Sequence, residues 1–250
     1  MSKNSAEPVT LIVPVFNEAE NFPRLVENVE RHIPQPYRMV VTYDFDQDTT
    51  LPVARELAQT RPEIELVKNE FGRGPANAIR AGFDAVESGP AIVVMADCSD
   101  DLSDVDEMLE KYREGAQVVC ASRYMPGGGQ EGGPWLKRTL SRWAGLSLYL
   151  LARFPTRDAT NNFRLYDAAL VSELRIESEQ GFEIALELTA KAFSRGTKIV
   201  EIPTHWTDRT DGESNFRLFK WLPLYLKWYW VALKAGWSPR RGKMESGNYH

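Results

Sequence analysis

Cysteine is scarce in this 250-residue chain, with only Cys98 and Cys120 present. Both follow apolar, strand-like runs, and their spacing matches neither a disulfide framework nor a metal site. Reduced, partly buried thiols are the expectation, as in a cytoplasmic protein. Histidine is nearly as rare. His32, His205 and His250 stand apart from the motifs described below, which suits a reaction without a histidine base. No uncharged apolar run reaches the ~18 residues that a membrane-spanning helix needs. Residues 1–8 are polar, with no apolar core behind a basic start, so no signal peptide is expected. An excess of positive charge is also missing. The formal net charge of −5 argues against general nucleic-acid binding.

What is present is ordinary in bulk. With 43% hydrophobic and 26% charged residues, the composition is that of a soluble globular protein large enough for a real core. The charge, however, is segregated. Arg123, Lys137, Arg138, Arg142, Arg153 and Arg157 face a single acid, Glu131, within residues 123–157. Residues 217–243 hold seven basic residues and no acid. Such blocks point to an anionic partner for two particular surfaces.

Along the chain, apolar runs alternate with helical periodicity. Strands are expected over 9–15, 37–43, 64–67, 91–96 and 117–121. Helices are expected from Asn17-Glu18 to Arg31, from Thr49 or Thr50 to about Ala58, from Ala76 to Val86 and from 102 to Tyr112. Alternation at this pitch means βαβ units and an α/β fold with a parallel sheet.

Two of these strands end in acids: Asp44, Asp46 and Asp48 after the second, and Asp97, Asp100 and Asp101 after 91–96. In a parallel sheet both clusters lie on the carboxyl edge, where open sheets bind ligands. Crowded carboxylates are tolerable where water or a divalent cation offsets them. The alternative is helix capping, which fits Asp48 well and is open to Asp100, Asp101 and Ser103. Asp44 is different. At the last strand position it can accept hydrogen bonds from a ribose hydroxyl or a base amide. Gly72-Arg73-Gly74 lies between a strand and a helix, but Asn77 replaces the third glycine of a dinucleotide fingerprint. A close helix–strand approach near a ligand phosphate fits equally well.

Several motifs together resemble a known family. Val13-Pro14-Val15-Phe16-Asn17-Glu18, the Asp44 turn, Gly72-Arg73-Gly74 with Ala76, and Met95-Ala96-Asp97 are similar to those of family 2 glycosyltransferases of the GT-A fold. Ala121-Ser122-Arg123-Tyr124 with Pro126-Gly127-Gly128 and Asn161-Asn162-Phe163-Arg164 narrow the resemblance to the dolichol- or polyprenol-phosphate sugar transferases. So do Glu201-Ile202-Pro203 and Arg209 with Gly212 and Ser214. The resemblance spans about residues 9–220.

It implies a Rossmann-like, mostly parallel open sheet flanked by helices, and a transfer of hexose from a nucleotide sugar to polyprenyl phosphate. Pro14, Phe16, Glu18, Asp44, Arg73, Asp97, Arg209 and Ser214 would bind the donor nucleotide. Arg123, Arg138 and Ser141 would hold the acceptor phosphate. Mg²⁺ or Mn²⁺ would sit on the acid cluster. Relatives usually carry Asp-Ala-Asp there, then Gln two residues on, and a gapless match puts Ala96, Asp97, Cys98 and Asp100 on those places. Thiolate is a poor ligand for hard Mg²⁺, so Asp97 and Asp100 are expected to take the metal, with Asp101 as a third. Asn215 stands where relatives commonly have Lys. Asp97, Asp100, Arg123 and Arg138 are the expected catalytic group. The rival readings are a family 2 enzyme with a hydroxyl acceptor, its base Asp100 or Asp101, and an inactive, membrane-attached nucleotide-binding relative.

A membrane surface is expected independently of the family. Six of seven tryptophans fall in two stretches, Trp135 and Trp143, then Trp221, Trp228, Trp230 and Trp237. Lys220, Lys227 and Lys234 recur every seven residues and form one basic stripe on a helix over 216–237. A helix over 134–152 mixes Leu140, Trp143, Leu146, Tyr149 and Leu150 with Lys137, Arg138 and Arg142. Aromatic helices with basic stripes lie in the headgroup plane; packing on the core is the alternative. Glu183 or Glu187, in a helix to Phe193, either faces the sugar or lies on a solvated surface. The expected organisation is a disordered 1–8, a GT-A domain over 9–215, an interface helix over 216–237 and a flexible tail over 238–250. A peripherally membrane-associated cytoplasmic protein follows, and a separate membrane-anchoring subunit is a compatible partner.

Overall fold

A computed structural model describes residues 8–208 and 218–238. Four apolar runs form β1 (Val9–Pro14), β2 (Tyr37–Tyr43), β3 (Ile64–Lys68) and β4 (Pro90–Val93). Between and after them lie α1 (Phe22–His32), α2 (Thr50–Ala58), α3 (Pro75–Asp84) and α4 (Val105–Arg113). Then come β5 (Val118–Ser122), β6 (Gly129–Glu131), α5 (Trp135–Ala152), β7 (Arg164–Asp167) and α6 (Ala168–Glu173). The chain continues through α7 (Ile184–Ser194), β8 (Ile199–Pro203), β9 (His205–Thr207) and α8 (Leu218–Gly236).

Seven strands form one sheet in the order β3-β2-β1-β4-β7-β5-β8, and β6 pairs with β9 in a separate two-stranded ribbon. The pairs β1–β2, β2–β3, β1–β4 and β5–β8 are parallel. Strand alternation divides the core into two layers. Leu11 and Val13 meet Phe22 and Leu25 of α1 on one face, while Ile12 meets Ile79 and Phe83 of α3 on the other. At Gly82 a Cβ would lie 2.2 Å from Ile12 Cγ2, so α3 sits directly on β1. A third cluster joins α5, α7 and α8 through Leu148, Leu186, Phe193, Trp228, Ala232 and Leu233.

The expected parallel alternation holds for β1–β5 with two corrections. β7 is antiparallel and inserts between β4 and β5, with Leu165 opposite both Ile92 and Val119. Its arginine disguises it: Arg164 is wholly buried, and its guanidinium donates to Ala185 O (3.0 Å) and to the Thr189 hydroxyl. The first helix begins at Phe22 rather than at Asn17-Glu18. Asn17 N donates to both Asp48 oxygens (3.1 Å each) and Glu18 N to Thr50 Oγ1 (2.8 Å), which pins this segment across to the β2–α2 turn. Asn17 consequently has φ +57°.

Candidate functional site

The carboxyl edge of the sheet opens into a cavity of about 970 Å³ that extends to α5 and α8. Pro14, Phe16, Glu18, Asp44, Arg73, Asp97 and Asp100 line it at the sheet, and Arg123, Arg138 and Ser141 line it further on. Residues far apart in sequence thus share one wall. Arg209 and Ser214, and Asn215 with them, lie outside the described residues.

Asp44 follows β2 and closes the turn opposite. Asn69 Nδ2 donates to its Oδ1 (2.7 Å) and Gly74 N to its Oδ2 (2.9 Å). Gly74 has φ +136°, and a Cβ there would meet Gln180 O at 2.8 Å. The glycine pair therefore serves close backbone approach, with Asp44 fixing the turn's shape. Arg73, in that turn, places its guanidinium 5.1 Å from the Phe45 ring centroid, and Phe45 meets Phe16 edge-to-face at 5.6 Å. Asp48 is a local staple: it is buried, holds Asn17 N and accepts from Thr50 N (2.8 Å). Asp46 is an exposed partner of Lys68.

β4 stops at Val93 because the chain turns to wrap its own carboxylates. Met95 N donates to Asp100 Oδ2 (2.9 Å), and Ser99 N and Oγ donate to Asp97 Oδ1 (3.1 and 2.6 Å). Asp100 is only 6% exposed, and burial pushes its carboxyl up to about 7. The Asp97 charge adds to this, while the Met95 amide and Arg123 oppose it. Asp101 is used differently. It accepts from Ser103 N (3.1 Å) and Ser103 Oγ (2.6 Å) as a helix cap and does not line the cavity. Cys98 has φ +57°, its thiol points to Asn21 O (3.7 Å), and burial first, then the Asp97 charge, push it up to about 11. Among the described residues no three His, Cys, Asp or Glu side chains converge as a complete metal cage.

Arg123, just past β5, is held by Asp158, which is wholly buried. Its Nε and Nη2 donate to the two carboxylate oxygens at 2.6 and 3.0 Å, and Nη2 also reaches Thr160 Oγ1 (3.1 Å) and Ser141 Oγ (3.4 Å). Burial works to discharge both partners. The pairing overrides it, holding Arg123 more basic and Asp158 more acidic than usual. Tyr124 donates to Ser141 Oγ (3.1 Å) or Gln130 Oε1 (3.1 Å), which joins α5 to this group. Arg138 is exposed on the first turns of α5 and faces the same cavity. Nothing in the sequence pattern marks Asp158, Thr160 or Trp206, and Tyr124 stands out there only as a member of the motif around Arg123.

Towards α8 the lining turns apolar through Leu140, Ala144, Leu222, Tyr225 and Leu226. Outside the cavity, Trp135 (70% exposed), Trp143 (66%), Leu150 and Leu151 on α5, Trp230 (54%) on α8 and Trp237 (62%) just past its end stay uncovered. One member of the expected lysine stripe is engaged on the protein's own surface. Lys227 is bonded to Glu177 Oε2 (2.9 Å) and lies 4.4 Å over the Trp228 ring; the Lys220 side chain lies outside the described residues. One face of α8 is core, as Trp228 at 3% exposure makes plain. Burying such a side chain contributes about 1.5–3 kcal/mol, against about 0–1 for the exposed Lys227–Glu177 pair. Packing therefore holds α8. No helix among the described residues is long and apolar enough to cross a membrane.

Neither Glu183 nor Glu187 lies on a solvated face. Glu187 is buried and accepts from Glu177 N (2.6 Å), Ser178 N (2.7 Å) and Lys191 Nζ (2.6 Å). Glu183 is buried with no hydrogen-bond partner for Oε2 among the described residues, and burial raises its carboxyl. His205, on β9, is exposed and outside the cavity lining.

Residues 10–175 match the model of the glycosyl transferase family 2. The polyprenol monophosphomannose synthase of Mycolicibacterium smegmatis is 30% identical over 211 residues, which cover 82% of this chain and 79% of that protein. The dolichol-phosphate mannosyltransferase of Pyrococcus furiosus is 25% identical over 85% of this chain, which spans 64% of that protein. Among solved structures, glucosyl-3-phosphoglycerate synthase from Mycobacterium tuberculosis with uridine diphosphate superposes with a TM-score of 0.67 at 13% identity. The match covers 94% of this chain and 82% of that one; the same enzyme has been solved with Mn²⁺ as well. The likeness establishes the GT-A fold. The chain belongs to glycosyl transferase family 2 and is a glycosyltransferase.

Proposed function

We propose that this enzyme moves a hexose from a nucleotide sugar, of the GDP-mannose or UDP-glucose type, to the phosphate of a polyprenyl or dolichyl phosphate. One observation carries the reading: a single cavity joins sheet-edge carboxylates, a pair of arginines and an apolar exit between α5 and α8. The names of the polyprenol, dolichol and undecaprenyl relatives support the acceptor class.

The residues present fit a divalent metal. Asp97 and Asp100 offer hard oxygen ligands to one cavity, and a buried carboxylate beside another acid calls for a counter-charge. Asp101 is spent on its cap, and the Cys98 thiol is turned away and protonated. Asp97 and Asp100 would hold Mg²⁺ or Mn²⁺, which when bound supplies charge stabilisation to the departing nucleoside diphosphate.

The chain's own side chains do the rest. Asp44, Arg73 and Phe16 form the nucleotide end, with Pro14 and Glu18 beside them. Arg123, preset by Asp158, and Arg138 offset the repulsion between two phosphorylated substrates and orient the acceptor for attack at the anomeric carbon. The acceptor phosphate is anionic at neutral pH, so no base has to deprotonate it. In-line attack inverts the anomeric centre. The uncovered tryptophans and leucines of α5 and α8, with Arg138 and Arg142 nearby, fit an interface-lying surface at the cytoplasmic leaflet, where the lipid tail leaves between the two helices.

Incubation with labelled GDP- and UDP-sugars, Mg²⁺ or Mn²⁺ and polyprenyl phosphate in vesicles tests this. A lipid-extractable labelled product with at least one donor is expected. Folded protein that gives no product with any donor overturns the reading.

A further inference from the structure

The seventh tryptophan, Trp206, lies on neither aromatic helix but on β9. Its backbone is fastened to the acid turn: Trp206 makes an antiparallel bridge with Asp100, and Thr207 N donates to Ser99 O (3.2 Å). Residues directly opposite in such a bridge present their side chains to one face. The ring lines the cavity beside Asp97 and Asp100, with the Arg123 guanidinium 6.0 Å from its centroid. On its other flank a Cβ at Gly133 would stand 3.5 and 3.7 Å from ring atoms, so the turn before α5 leaves just enough room for an indole.

We propose that Trp206 is the platform for the transferred hexose, its ring packing against the C–H face of the pyranose. The proposal rests on the donor and acceptor assignments above and adds the subsite between them. During transfer the anomeric carbon must lie between the leaving diphosphate and the attacking phosphate. The groups assigned to those two phosphates, Asp97 with Asp100 and Arg123, line the same cavity as this ring, Asp100 through its backbone bridge and Arg123 at 6.0 Å from the centroid. A pyranose has an apolar C–H face and a polar rim. Trp206 offers the apolar surface, while Tyr124 and Gln130 bring polar atoms to the same stretch of wall. Recognition of the ring by shape and C–H contact would tolerate epimers at one hydroxyl better than loss of the sugar altogether.

The test compares the affinities of a nucleoside diphosphate and of its hexose derivative, with Mg²⁺ present, for wild type, Trp206→Phe and Trp206→Leu. Thermal melting checks each fold. Trp206→Leu should lose about tenfold in affinity for the nucleotide sugar, the worth of one aromatic contact, while affinity for the bare diphosphate holds. Trp206→Phe should keep most of it. Equal affinities in Trp206→Leu and wild type overturn the platform. A parallel loss of both ligands also overturns it, since that marks a structural role for β9 in the acid turn. Should Trp206→Leu not fold, the wild type decides: C–H protons on one face of the bound hexose shift upfield by ring current, and unshifted protons refute the proposal. A wild type that binds the diphosphate but gains nothing from the sugar overturns the platform and leaves the nucleotide reading intact. A wild type that binds neither overturns both.

Discussion

The two ends of the cavity are built on opposite principles. At the sheet edge, each carboxylate is fixed by backbone amides and short side chains: Asp44 by Gly74 N and Asn69, Asp97 by Ser99, Asp100 by Met95 N. At the α5–α8 end, large aromatic and aliphatic side chains stand in the open and the helices rest on a small satellite core. Arg123 stands between, belonging to the rigid end through Asp158 and to α5 through Ser141. The difference teaches where precision is needed. Binding a small charged donor demands preset atoms; accepting a long, flexible lipid demands an unobstructed apolar exit.

Breaking the rigid end should have the largest effect. Asp100→Asn should lower transfer by about 10²–10³-fold, measured at saturating nucleotide sugar, and should also weaken the rise in melting temperature on adding nucleotide with Mn²⁺. Intact transfer would remove Asp100 from the site. Next comes Arg123→Ala, which strands the buried Asp158 and should cost about 3–5 kcal/mol of stability along with activity. Denaturant unfolding reads the stability cost. A loss below 1 kcal/mol would mean that Asp158 is satisfied by its loop alone.

The soft end should behave otherwise. Replacing Trp143 and Trp230 together by Ser should reduce co-sedimentation with anionic vesicles by about tenfold and change stability by no more than about 0.5 kcal/mol. Unchanged vesicle binding with lowered stability would assign both side chains to packing. The smallest effect concerns Glu183. Its raised carboxyl favours the fold while protonated, so its contribution is present below the unfolded carboxyl value and lost as pH rises through the folded one. Glu183→Gln should therefore gain about 1 kcal/mol at pH 8 and converge on wild type in acid. A lower melting temperature at pH 8 would show that the charge is compensated.

Legibility in the sequence follows the same divide. The rigid end was readable because its determinants are local: apolar runs that end in acids or glycines give strands, turns and a carboxyl edge. β7 escaped because a buried arginine with carbonyl and hydroxyl acceptors looks polar in sequence, although the fold satisfies it. Asp158 escaped for a similar reason, since a partner 35 residues away defines its role. On α8, heptad spacing suggested one stripe of lysines, but Glu177, far off in sequence, takes Lys227. Asp101 and Asp97 look alike in sequence, and only the turn tells cap from cavity. Long-range pairing is what spacing does not carry.

The central claim is that the arginines at the junction receive a phosphate. The most direct measurement offers the enzyme polyprenyl phosphate and the corresponding free polyprenol side by side, with the same labelled nucleotide sugar and metal. Label should pass to the phosphate lipid alone, and Arg138→Ala should abolish that product while nucleotide binding persists. Transfer to the free alcohol at a comparable rate would contradict the account and establish a hydroxyl acceptor instead.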